Sequence, residues 1–105
     1  MINAYIAGIG MTKFGRFPDE SVKSLTSKAV SMALRDSGIS SERIQAAFFA
    51  NTVQGALEGQ LMVRGQIALR PLGLEGIPII NVENACASSA TALNLALNYL
   101  SLIHI

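Results

Sequence analysis

The sequence predicts an α/β fold built on a parallel sheet, and three observations predict it. Three short apolar runs, at 4–9, 46–50 and 77–83, alternate with three segments of helical pattern, and that alternation is the signature of βαβ units. The first two runs are apolar on both faces, as parallel strands covered on both sides are. The segment after the third run, ASSATALNLALNYL, has almost no charged face, so as a helix it needs burial on nearly all sides. The expected architecture is a βαβαβα unit with three parallel strands side by side in the order 3-2-1. Right-handed crossovers then place the first two helices on one face of the sheet, and the third, apolar all round, fits the opposite face, which it reaches only if the next strand returns to the far side of strand one.

Taken in order, Ala4-Tyr-Ile-Ala-Gly-Ile9 is the first expected strand, ending at Gly10, and Met11 to Pro18 is a loop holding Phe14 and Phe17. Asp19 and Glu20 supply carboxylates where a helix N-cap and its positive dipole end want them. Val22, Leu25, Ala29, Met32 and Ala33 recur at helical spacing, and Gly38 stands where a left-handed residue ends a helix. Ala46 to Ala50 is the second strand. Asn51 to Gly59 reads as a loop, and a second helix is expected from Gln60, stopped by Pro71 and Gly73. Ile77 to Glu83 is the third strand, with Pro78 confined to its start or an edge. The third helix is expected from Cys86 onward. His104 lies in a tail, SLIHI, that no turn separates from this helix. The chain thus reads as the first half of a domain.

Composition narrows the function. Of 105 residues half are apolar and 14% charged, against a usual quarter charged, which suits the interior of something larger. A net charge of +1 without a basic run or aromatic cluster argues against nucleic acid, and nothing supports membrane-surface binding. One cysteine forms no internal disulfide and suits a reducing compartment. The N-terminus lacks a basic region and is broken by Gly8 and Gly10, unlike a signal peptide or spanning helix. A soluble, cytoplasmic protein is expected. Gly8 and Gly10 make no dinucleotide fingerprint, because no third glycine follows at the required spacing and no helix begins there. No cofactor or metal is expected.

Cys86 sits between the third strand and the third helix, where a helix start offers unsatisfied N–H groups and a positive dipole end to a sulfur or an oxyanion. Ala85, Ala87, Ser88 and Ser89 are small enough to let a thioester approach. Acyl transfer through a covalent intermediate needs that geometry. Local pattern equally allows a small buried residue, since free cysteine is often buried. The two readings stay open on this ground alone.

Other residues divide the same way. Glu83 and Asn84 either orient the cysteine loop or cap neighbouring elements, and Gln54, Gly55 and Gly59 suit either an active-site loop or plain turns. Phe14 and Phe17 read as a loop anchor, Arg64 as a solvated helix face, and His104 as incidental.

The chain also resembles the N-terminal part of thiolases, in the branch of sterol-carrier-protein-type thiolases and acetyl-CoA acetyltransferases. Tyr5 to Gly15, then Asn51, Gln54-Gly55, Gly59-Gln60 and Arg64, then Gly73-Leu74, Pro78 and Asn81-Val-Glu-Asn-Ala-Cys-Ala-Ser-Ser89 carry the resemblance. It runs over about residues 4 to 100. It implies a thiolase-like layered fold, with 1–105 as part of the N-terminal domain, and Cys86 as the nucleophile that takes an acyl group from acyl-CoA or acetyl-CoA. It also implies a homodimer or homotetramer pairing through Ile79 to Glu83, and a base and oxyanion donors from a second cysteine and histidines in a C-terminal half. Thiolase-like ketoacyl synthases, acyl-CoA aldolases and non-catalytic scaffold subunits share the architecture. The family often has Gly two or three residues after the cysteine, where this chain has Ser88 and Ser89.

Overall fold

A computed structural model describes residues 3–103; His104 lies outside them. Its helices are α1 (Val22–Ser37), α2 (Gln54–Glu58), α3 (Arg64–Leu69) and α4 (Ser88–Ile103), and its strands are β1 (Ala47–Ala50) and β2 (Ile79–Val82). The strands run parallel, with Ala47 opposite Ile79 and Ala50 opposite Val82. Ala47 N–H donates to Pro78 O at 3.0 Å and Asn51 N–H to Val82 O at 3.2 Å, which lengthens the ladder at both ends. Pro78 contributes a carbonyl there and its missing N–H costs nothing.

The sheet of the described residues has two strands, which corrects the expected three in order 3-2-1. Residues 4–9 are not part of it. A Cβ on Gly8 would stand 2.5 Å from Ala33 O and one on Gly10 2.1 Å from Ala29 O, so this segment lays bare backbone against α1. Ile9 N–H donates to Asp36 Oδ2 at 2.9 Å, taking a helix carboxylate in place of a strand carbonyl. Tyr5 and Ile6 remain 87% and 83% exposed. An apolar run states a demand for burial; which backbone it faces is decided elsewhere.

Two helix boundaries also differ from expectation. Ser21 caps α1, its Oγ accepting Ser24 N–H at 3.0 Å while Ser24 Oγ accepts Ser21 N–H at 2.9 Å, a reciprocal box that satisfies two donors. Of the two carboxylates expected at the cap, Glu20 hydrogen-bonds Lys28 and Ser24, which hold its carboxyl below the usual range. Glu58 of α2 instead reaches α1, accepting Val22 N–H at 2.8 Å. α2 forms inside Asn51 to Gly59, expected as a loop, and ends at Gly59 with φ 75°, while the helix expected from Gln60 starts only at Arg64 as α3, after Val63 at φ 47°. Gly38, at φ 71°, ends α1 as its position predicts.

Alternation along the strands puts α3 and α4 on opposite faces, as expected for the third, apolar helical segment. Gly65 of α3 meets Phe49, Asn81 and Ile79, while Tyr99 of α4 stands edge-on to Phe48 with ring centroids 5.7 Å apart. α1 packs on α3. Yet α4 buries one stripe, through Ser88 and Ala92, and leaves Leu93 59% and Leu102 73% exposed, so the all-round burial read from its composition is not met. The accessible surface is 7610 Å², where a self-contained monomer of 11.1 kDa has about 5,700 Å². Exposed large apolar side chains, among them Leu57, Leu61, Met62 and Leu102, contribute to the excess.

Candidate functional site

Cys86 lies in the tight turn that joins β2 to α4. The strand stops at Val82 and the helix starts at Ser88, so the cysteine precedes the helix expected to begin with it. Its side chain is exposed in this chain. Ala85, the residue before it, has φ 47°, in the left-handed region that residues with a Cβ seldom occupy.

The turn is held from several directions. Ala87 N–H donates to Asn84 O at 2.9 Å and Ser88 N–H to Ala85 O at 3.2 Å. Glu83 Oε2 accepts Ala85 N–H at 2.7 Å. Asn84 N–H donates to Ser88 Oγ at 2.8 Å, and Asn84 Nδ2 to Thr91 Oγ1 at 3.0 Å. Glu83 and Asn84 therefore orient the loop that carries the cysteine. Of the small residues after it, Ser88 turns inward and is buried, while Ala87 and Ser89 remain exposed beside the sulfur. The first turn of α4 follows directly, and backbone N–H groups at a helix start can hold negative charge.

A cleft of about 250 Å³ opens at the C-terminal ends of both strands, with Asn51, Arg64 and Glu83 in its lining. Arg64 does not lie on a solvated helix face. Its Nη1 donates to Asn51 O at 3.2 Å and its Nε to Gln60 O at 3.0 Å, tying α3 to the segment after β1. Gln54 is buried at the start of α2 and Gly59 is that helix's left-handed cap, while Gly55 lies close under Leu61 and Arg64. Of these residues Arg64 lines the cleft itself, and Leu61, over Gly55, lines it too. Phe14 is 92% exposed, and Phe17 lines a separate hollow with Leu25 and Met32, so only Phe17 acts as the expected anchor.

The sequence reading missed Thr52. Its Oγ1 donates to Ala85 O at 3.0 Å and lies 3.1 Å from Ser88 Oγ. The signal was the register: with Ala50 opposite Val82, continuing both chains by two residues sets Thr52 opposite Asn84.

Residues 4–103 match the family described as Thiolase, N-terminal domain. The chain belongs to the thiolase family. This thiolase domain is 40% identical over 100 residues to the benzoylsuccinyl-CoA thiolase subunit BbsB of Thauera aromatica, covering 93% of the chain and 24% of that relative. It is 36% identical to the acetyl-CoA acetyltransferase of Methanocaldococcus jannaschii, covering 91% and 24%. With sterol carrier protein 2 of Gallus gallus it shares 37% identity, over 85% of the chain and 16% of the relative. The thiolase domain thus spans about a quarter or less of the length of these relatives. Its fold is also that of 3-oxoacyl-[acyl-carrier-protein] synthase III from Aquifex aeolicus, with a TM-score of 0.66 at 20% identity over 79% of this chain and 26% of that one. No described helix is long and apolar enough to cross a membrane.

Proposed function

We propose that this domain is the N-terminal part of a cytoplasmic acyl-CoA C-acyltransferase in which Cys86 carries the acyl group. The observation that supports this reading is the exposed sulfur in a braced left-handed turn directly ahead of a helix. The Cys86 sulfur attacks the thioester carbonyl of acyl-CoA, the carbon–sulfur bond to CoA breaks, and CoA leaves with the thiol's proton, giving an acyl-enzyme. In synthesis, a second acetyl-CoA loses a proton from its α-carbon. The resulting carbanion attacks the acyl carbonyl, a carbon–carbon bond forms, and Cys86 departs as thiolate. Thiolysis runs the same steps in reverse.

The α-carbon base and the remaining oxyanion donors belong to the other part of the protein, so this chain alone does not turn over. The functional unit is a homodimer or homotetramer pairing through the free edge of β2 near Ile79 to Glu83. With the full-length protein, acetyl-CoA is expected to protect Cys86 from iodoacetamide, as followed by peptide mass spectrometry. Equal alkylation with and without acetyl-CoA would sink the proposal.

A further inference from the structure

Thr52 and Ser88 converge on one backbone carbonyl, the Ala85 oxygen, with their hydroxyl oxygens 3.1 Å apart. Thr52 Oγ1 donates to it at 3.0 Å and Ser88 Oγ at 2.7 Å, and Ser88 Oγ also accepts Asn84 N–H at 2.8 Å. The Ala85 oxygen also accepts Ser88 N–H at 3.2 Å, so three donors from two residues hold it, while the Ser88 hydroxyl oxygen takes the strand-end N–H. Ser88 is 6% exposed, so little water competes for these bonds. Between them lies Ala85 at φ 47°, a conformation that persists for alanine only where its surroundings impose it.

We propose that Thr52 and Ser88 form a hydroxyl clasp that holds Ala85 in the left-handed conformation and so sets where the Cys86 sulfur stands. Both are positioning residues for acyl transfer, an inference that rests on Cys86 as the acyl carrier. The clasp also couples the end of β1 to the start of α4, so an error at Thr52 is transmitted to a residue 34 positions away. Valine has the shape of threonine without its hydroxyl, which makes Thr52→Val the informative change.

The test measures the rate at which acetyl-CoA acylates Cys86 in the full-length protein, by acid quench and peptide mass spectrometry across acetyl-CoA concentrations. Thr52→Val is expected to lower the maximal acylation rate about 10- to 100-fold, as a small displacement of a reacting atom does, with the half-saturating concentration within about twofold of wild type. Thr52→Ser restores the rate to within about threefold. Should Thr52→Val not fold, Ser88→Ala carries the same expectation. Wild-type acylation in the Thr52→Val protein, or Thr52→Ser as slow as Thr52→Val, overturns the clasp. If the unaltered protein takes up no acyl group, the acyl-carrier reading falls, and a crystal structure of the Thr52→Val protein judges the clasp separately. There, Ala85 leaving the left-handed region upholds it and Ala85 staying near φ 47° overturns it.

Discussion

Cys86→Ala in the full-length protein is expected to lower both thiolysis and condensation by at least about 10³-fold, the scale on which losing a nucleophile is felt. The same variant is expected to unfold at a midpoint close to that of the unaltered protein. Cys86 is exposed within this domain, and removing one sulfur from such a site changes the domain's stability by less than about 0.5 kcal/mol. A cysteine that served as packing would give the opposite pair of results, a lower midpoint and activity changed only a few-fold. Measuring steady-state rates and urea unfolding on one preparation separates the two, because each alternative moves the quantity the other leaves alone.

Gly65→Ala is expected to destabilise the domain by about 1–3 kcal/mol. A Cβ at this position would stand 2.7 Å from Phe49 Cβ, 2.9 Å from Asn81 Oδ1 and 2.9 Å from Ile79 Cγ2, so α3 would have to lift from the sheet. Lifting it stretches the bond from Gly65 N–H to Asn81 Oδ1, now 2.7 Å, which satisfies a first-turn donor of α3 from the neighbouring strand. The better helix propensity of alanine returns at most about 1 kcal/mol. Gly10 faces a still shorter approach, 2.1 Å to Ala29 O. Its segment is mostly exposed, however, and can move away from α1 at smaller cost. Urea midpoints of the two variants check the order, with Gly65→Ala the lower.

The sequence made some of this legible and concealed the rest for physical reasons. Short apolar runs located β1 and β2, and Gly38 ended α1, because burial and left-handed backbone leave compositional marks. The first run, Ala4 to Ile9, carried the same mark and misled. Burial demand says nothing of the partner, and two glycines allowed a helix as close a contact as a strand. Val63 and Ala85 adopt positive φ without being glycine or asparagine, so neither the break before α3 nor the turn before Cys86 was readable from residue type. Cys86 itself stood out by its neighbours. Thr52 did not, because its role exists only across a parallel register joining residues 33 apart, Thr52 and Ala85.

The central claim, that Cys86 accepts an acyl group, is tested most directly by mixing the full-length protein with acetyl-CoA and no second reactant. Released CoA is counted while the quenched protein is mapped by peptide mass spectrometry. The predicted result is one CoA released per subunit and one acetyl group, labile to hydroxylamine as a thioester is, on the peptide holding Cys86. CoA release without acetylation of that peptide, or acetylation that persists in the Cys86→Ala protein, would contradict it.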